Sequence, residues 1–250
     1  MLAIPVAADD GLVPTLNQMG YMNIQPCRVI QSFIQYAKEQ AQGQEAADNP
    51  VLDIGCAYGV ASIPLAQARV TVTACDADAR HLALLQDSLT AEERPFVTIA
   101  HGTIPHSLAF PSNYFQAALM SQVLHFLTPE EIVKSFERVF RWLKPGGQFF
   151  ATAVSPYTRP LVPFRETYDA RKTQNHPWPG IIENARLYFP EARKEQLPDY
   201  MHYMDIDTLQ RVAEQTNFAV IELFYYTKEN APADFALDGK EQIGLICRKP

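Results

Sequence analysis

At 250 residues and 47% hydrophobic content, the chain is long enough for one large α/β domain, or one domain carrying an inserted lid. A formal net charge of -7 without any basic run argues against a protein that grips nucleic acid through its phosphates. No apolar run is long enough to span a membrane and no Lys or Arg precedes Arg28, so neither a membrane span nor a signal peptide is expected.

Residues 1–26 read as irregular, with Pro5, Asp9-Asp10-Gly11, Pro14 and Pro26 marking turns. Val29, Ile30, Phe33, Ile34 and Ala37 recur at helical spacing and predict an amphipathic helix over roughly 27–42, followed by a polar linker over 43–49. After the Asn49-Pro50 turn signal, Val51, Leu52 and Ile54 predict a short buried strand. It ends in a loop with Asp53, Gly55 and Gly59 in the spacing D-x-G-x-x-x-G. Glycine at a strand exit lets the backbone turn sharply and lets a ligand approach where a Cβ would stand. The N–H groups of the helix that follows favour an anionic ligand group such as a carboxylate. That helix is predicted over Val60 to Ala68, with Pro64 inside it as an expected kink. Val70 to Ala74 is the second strand, and Asp76 follows it about 20 residues past the glycine loop, the spacing at which an acid meets a ribose in a βαβ unit. Ala79 to Leu89 reads as a helix and Phe96 to Ala100 as the third strand, leading to His101-Gly102-Thr103-Ile104.

Phe110-Pro111-Ser112-Asn113-Tyr114-Phe115 turns into a fourth strand, Gln116 to Met120, which ends in Ser121-Gln122-Val123-Leu124-His125-Phe126. Thr128-Pro129-Glu130-Glu131 is a capping box with proline at the first helical position, and Ile132, Phe136, Val139, Phe140 and Leu143 carry the helix onward. Leu143-Lys144-Pro145-Gly146-Gly147 reads as a helix stop and turn before a fifth strand, Gln148 to Val154. Between 155 and 205 prolines alternate with aromatic residues, a composition too apolar for a disordered linker; a connection this long suggests a lid or binding segment. Asp207 is the expected cap of a helix through Gln215, and Phe218 to Tyr226 and Gln242 to Cys247 are the last two strands.

Loop, acid and downstream segments together resemble the class I S-adenosylmethionine-dependent methyltransferases, with four motifs in order over residues 50 to 154. Ala57 stands where a dinucleotide enzyme has its second glycine. The resemblance implies a doubly wound α/β fold: a seven-stranded, mostly parallel sheet with an antiparallel last strand, and a lid inserted between strand 5 and the last helix. It implies one domain over 1–250, divided into an N-terminal cap and helix (1–48), a cofactor core (49–154), a lid (155–205) and a C-terminal helix and strand pair (206–250). By the same resemblance Gly55, Cys56, Ala57 and Gly59 lie against the methionine part of S-adenosylmethionine, and Asp76 binds its ribose. Gly102, Thr103 and Ile104 border the adenine, with Thr103 where relatives often have an Asp. Ser121, Gln122 and Val123 lie beside the methyl group. Asp53, Ala77 and, from the N-terminal segment, Tyr21 complete the expected cofactor contacts, with Arg28 as the alternative to Tyr21.

Methyl transfer is an in-line displacement that depends mainly on orientation and exclusion of water. His125 is the candidate base, because histidine titrates near neutrality; a packing role beside the cofactor is the alternative, and His202, Tyr168 and Tyr203 are weaker candidates. Arg159, Arg165, Arg171 and Lys172 in the aromatic lid suit a mostly apolar small molecule with an anionic group, or else form a solvated face. Histidine with cysteine or carboxylate at metal-ligand spacing is absent, so no metal is expected. Cys27, Cys56, Cys75 and Cys247 form no C-x-x-C pair and read as reduced thiols of a cytoplasmic protein, with Cys56 and Cys75 as the conceivable redox pair. The expected activity is methyl transfer to a small molecule. A protein methyltransferase, a non-catalytic S-adenosylmethionine-binding protein and, least, a dehydrogenase are the alternatives. Acceptor atom, substrate and oligomeric state are not legible.

Overall fold

The structure is a computed structural model that describes residues 3–7, 12–23, 25–42, 49–227 and 231–250. The expected Asp9-Asp10-Gly11 turn and residues 43–48 of the linker lie outside the described residues. The chain opens with β1 (Leu12–Pro14) and β2 (Tyr21–Asn23), an antiparallel pair with Val13 opposite Met22. This hairpin replaces part of the irregular stretch expected from the sequence. α1 (Arg28–Ala41) buries Val29, Phe33, Ile34 and Ala37, the face its periodicity predicts. Then come β3 (Val51–Ile54), α2 (Ser62–Gln67), β4 (Val72–Asp76), α3 (Ala79–Ser88) and β5 (Val97–His101).

α2 starts later than expected, which accounts for Pro64. It occupies the third helical position, in the first turn, where backbone N–H groups have no intrahelical acceptor to lose. No kink is needed. β6 (Phe115–Ser121) leads to α4 (Pro129–Trp142), whose capping box is fully formed: Glu131 N–H donates to Thr128 Oγ1 at 3.3 Å and Thr128 N–H to Glu131 Oε2 at 2.8 Å. β7 (Leu143–Val154) begins directly at Leu143. The expected turn at Leu143–Gly147 is instead an irregularity within the strand, Leu143 facing Phe115 and Gln148 facing Ala117.

Five strands run parallel, in the order β7-β6-β3-β4-β5. β10 (Ala219–Tyr226) and β11 (Gln242–Arg248) complete seven, in the full order β10-β11-β7-β6-β3-β4-β5, with β11 antiparallel to both neighbours. Strand parity divides the core. Val51, Ala117 and Leu119 pack with α1 and α2 on one face, whereas Leu52, Ile54, Ala118 and Met120 pack with α4 and the last helix on the other. Both sides of each central strand are buried, which is why those strands read as continuous apolar runs.

Residues 155–205 hold α5 (Arg165–Thr173), β8 (Ile181–Ile182), α6 (Glu191–Lys194) and β9 (Met201–His202), gathered on a separate apolar cluster that includes Leu161, Phe164, Tyr168, Phe189 and Tyr203. Gly180 is obligatory there, because a Cβ would stand 1.9 Å from the carbonyl oxygen of Tyr203. α7 (Ile206–Gln215) follows, and its cap is Asp205, which accepts from Thr208 N–H at 2.8 Å, rather than the expected Asp207. Asp207 instead pairs with Lys172 at 2.6 Å.

Candidate active site

The parallel strands end on one edge of the sheet, and a cavity of about 900 Å³ opens there. It lies at the upper end of the roughly 300–1,000 Å³ range of small-molecule sites. Its floor is the loop after β3. Gly55 and Cys56 N–H both donate to Cys75 O, at 2.8 and 2.9 Å, which folds the loop over the end of β4. Gly55 has φ 75°, and a Cβ there would meet Val123 Cγ2 at 2.4 Å. Glycine there lets Val123 pack against the loop and leaves its backbone open to the cavity. Gly59 serves a different purpose. It does not line the cavity; a Cβ on it would strike Leu85 Cδ1 at 2.4 Å, so it seats the loop against α3. Among the expected loop contacts, Gly59 is the one that the described residues show packing against α3.

Asp53 is 3% exposed, faces the cavity and accepts from Ser62 Oγ at 2.7 Å. Burial pushes its carboxyl up to about 6; the Ser62 bond opposes that shift and the nearby Asp76 charge adds to it. Asp76 accepts from Ala57 N–H (2.9 Å) on Oδ2, and from Asp78 N–H (2.9 Å) and His81 Nδ1 (3.0 Å) on Oδ1. Since Leu16 N–H donates to His81 Nε2 at 3.1 Å, the imidazole proton is on Nδ1. Three of about four acceptor positions on the carboxylate are thereby used, leaving one on Oδ2 for a hydroxyl of the expected ribose. The same region ties down the N-terminal hairpin: Tyr58 OH donates to Pro14 O at 3.1 Å and Arg80 Nη2 to Leu16 O at 2.8 Å.

Ala77, Gly102, Thr103, Ile104, Ser121, Gln122, Val123, His125, Tyr21, Cys56 and Ala57 all line the cavity, as does Arg28. Ser107 Oγ accepts the Thr103 N–H at 2.8 Å, so that group is occupied within the protein, while the buried Ile104 offers an apolar surface. Of the weaker candidates, Tyr203 reaches the cavity and Tyr168 and His202 do not. Tyr168 OH donates to Asp205 Oδ2 at 2.5 Å, and burial lowers the His202 imidazole to about 4.

The cations expected to meet an anionic group are used elsewhere. Arg159 Nε donates to the carbonyls of Ala233 and Ala236, Arg171 to those of Pro179 and Ile181, and Lys172 pairs with Asp205 and Asp207, while Arg165 lies over the Tyr157 ring at 4.2 Å. None of the four lines the cavity. Cys56 and Cys75 are buried free thiols whose protonated form burial favours, which suits packing.

Sequence reasoning did not single out His81, Tyr58 or Gln242. A histidine five residues after the strand-end acid was a faint signal for the first; Gln242 lies 120 residues from its partner Gln122 and gave none.

A seven-stranded sheet with an antiparallel β11, and a glycine loop and acid at the ends of adjacent central strands, is the fold of the class I S-adenosylmethionine-dependent methyltransferases. Residues 51–147 match the family described as Methyltransferase domain. Residues 51–147 thus match a methyltransferase domain, and the fold around them is that of the class I enzymes. It is 33% identical over 99 residues to an uncharacterized methyltransferase of Synechocystis sp., a match covering 40% of this chain and 44% of the relative. It is 26% identical over 122 residues to the ubiquinone biosynthesis O-methyltransferase of Proteus mirabilis, covering 49% of this chain and 48% of that protein. The chain thus aligns with less than half the length of these two relatives. A SAM-dependent methyltransferase from Methanosarcina mazei superposes with a TM-score of 0.64 over 90% of this chain and 98% of its own, at 19% identity, a likeness of fold.

Proposed function

We propose that the protein transfers the methyl group of S-adenosylmethionine to a small-molecule acceptor. The observation that carries this reading is a concave cavity of about 900 Å³ walled by side chains from several segments of the chain. The hairpin, the 155–205 segment and residues 231–235 all contribute to its walls, through Met22, Phe189, Met201, Tyr203 and Phe235 among others. That shape is a pocket for a compact molecule and suits an extended polypeptide poorly. In this reading residues 49–154 are the cofactor core, 155–205 a lid, and 1–48 and 206–250 the flanking cap and strand pair of one domain. Similarity to a relative named for ubiquinone biosynthesis supports a small acceptor.

The residues present fit the cofactor. Gly55 gives close backbone approach, Asp76 Oδ2 an acceptor for a ribose hydroxyl, Ile104 an apolar face for the adenine and Asp53 a buried carboxylate to answer the cofactor's ammonium. When bound, the cofactor supplies an electrophilic methyl group. The protein's part is to orient the acceptor behind that carbon and exclude water. In this reading His125, buried in the cavity wall next to Phe126 (ring centroids 4.0 Å apart), takes a proton from the acceptor. Loss of such a base costs about 10²–10⁴ in rate.

Calorimetric titration with S-adenosylmethionine, S-adenosylhomocysteine and NAD(H) tests the cofactor. Incubating cell extract with methyl-labelled cofactor then tests the acceptor. Label in the low-molecular-weight fraction is expected; label confined to macromolecules would replace this reading with a protein methyltransferase, and binding without label transfer with a cofactor-binding protein.

A further inference from the structure

The charged side chains of the cavity are largely answered within the protein. Arg28 pairs with Glu222 at 2.7 Å, and Arg193 grips Asp234 through two bonds of 2.7 and 3.0 Å. Asp53 and Asp76 belong to the cofactor end. Two cavity-lining amides, those of Gln122 and Gln242, each keep one polar group unanswered among the described residues.

Gln122, the residue after β6, has φ 58°, a left-handed conformation that residues other than Gly, Asn and Asp seldom adopt. It is held there by Thr152. The Gln122 N–H donates to Thr152 Oγ1 at 2.9 Å and to Thr152 O at 3.2 Å, and Gln122 Nε2 donates to the same hydroxyl at 2.9 Å. Gln122 Nε2 also donates to Gln242 Oε1 at 2.8 Å. Gln242 is the first residue of β11, opposite Val154 and 1% exposed. Both amides line the cavity, whose walls nearby in the fold include Val154 and Tyr226. The amide of Gln122 has thus used its donors and that of Gln242 its acceptor. Gln122 Oε1 and Gln242 Nε2 have no hydrogen-bond partner among the described residues. Turning both amides over leaves the same result in mirror image, one carbonyl and one NH₂. Strained backbone and unanswered amide groups together, at one point of a ligand cavity, are what a site keeps when a ligand answers them.

We propose that the Gln122–Gln242 pair recognises the methyl acceptor, and that it selects an uncharged, largely apolar molecule bearing a hydroxyl. A hydroxyl accepts from an amide NH₂ and donates to an amide carbonyl at once, so one group completes both halves of the pair. The same skeleton without the hydroxyl leaves both amides desolvated and unpaired. A carboxylate brings no donor and sets its charge against the carbonyl. The inference rests on the methyltransferase reading for the term acceptor, and on geometry alone for the selectivity.

The test is a titration of the protein saturated with S-adenosylhomocysteine against three probes of one size: 2-naphthol, 2-methylnaphthalene and 2-naphthoate. Wild type is expected to bind the naphthol about tenfold more tightly than either other probe, the effect of one or two hydrogen bonds. In Gln242→Leu that preference should fall to about unity, while S-adenosylhomocysteine affinity stays within about twofold. Gln242→Met, which removes both polar groups of the amide at similar side-chain length, should lose the preference as well and serves if the leucine variant does not fold. Equal binding of the probes by wild type, binding of none of them, tightest binding of the naphthoate, or a preference that survives both variants overturns the proposal. Loss of S-adenosylhomocysteine binding in folded variants would assign the pair to the cofactor and overturn it too. Wild type that fails to bind S-adenosylhomocysteine at all would instead defeat the proposed function, and the probe preference, measured on the free protein, would still decide the amide pair.

Discussion

Asp53→Asn should make the protein more stable at pH 8 and a poorer cofactor binder. The Asp53 carboxyl titrates at about 6 in the fold against 3.8 when free, mainly because it is buried. A folded value raised above the unfolded one means that the native state holds the proton more tightly. That contribution to stability is full below pH 3.8 and is lost as pH rises through about 6. The difference corresponds to about 3 kcal/mol of penalty at pH 8. Asparagine is uncharged, matches the shape and can still accept from Ser62 Oγ, so it removes most of that penalty. At roughly 2–4 °C per kcal/mol for a chain of this size, the melting temperature at pH 8 should rise by up to roughly 6–12 °C, and the two proteins should converge near pH 4. In the proposed function the cofactor's ammonium draws on the same charge. S-adenosylhomocysteine affinity of wild type should therefore weaken below pH 6, by up to about tenfold per pH unit, and that of the variant should be low and flat. Thermal unfolding and calorimetry from pH 4 to 8 read both. A variant less stable than wild type at pH 8, or wild-type affinity that is level from pH 5 to 8, would refute the reasoning.

Gly55→Ala places a methyl group 2.4 Å from Val123 Cγ2 on a backbone at φ 75°. It should cost about 2–4 kcal/mol of stability, and Val123→Ala should recover only the steric part of that loss in denaturant titrations. Asp76→Ala frees the N–H groups of Ala57 and Asp78 together with His81 Nδ1, so cofactor affinity should fall by at least about 2 kcal/mol in calorimetry, whereas Asp76→Asn, which keeps acceptors, should lose less. Lys172→Met removes the cation that pairs with the buried Asp205, whose carboxyl is held below its usual range by Lys172, Thr208 and Tyr168 against the opposing effect of burial. The stability from that depressed carboxyl is present above pH 3.8 and lost as pH falls through its folded value, so the variant should unfold at higher pH on acid titration followed by circular dichroism.

The central strands were legible because they are buried on both faces and so appear as apolar runs, and the glycine loop because its backbone demands glycine at Gly55. Elements governed by distant contacts were not. β1 and β2 have three residues each, too few to show alternation. The choice between Asp205 and Asp207 as cap depends on Lys172 and Tyr168, more than 30 residues earlier, which hold Asp205 in place. The arginines and lysine of the 155–205 segment looked like ligand contacts because composition cannot reveal that carbonyls of a neighbouring turn need donors. Pro64 appeared as a breaker only because the start of α2 was read two residues too early. At the site, the loop, Asp76 and the Ser121–His125 segment were readable as a contiguous pattern, while the His81 and Gln242 contributions exist only once the chain has folded.

One imidazole, that of His81, joins the amide of Leu16 to the carboxylate of Asp76. A chain cut down to the matched 51–147 stretch would keep every glycine and acid of the pattern and still lose the donor that fixes that ring. His81 would be free to turn or to change tautomer, and Asp76 would lose a defined neighbour. The boundary of the working site therefore lies some 35 residues upstream of the boundary that sequence similarity marks, and fragments or chimeras designed from the similarity alone would inherit the motif without its alignment.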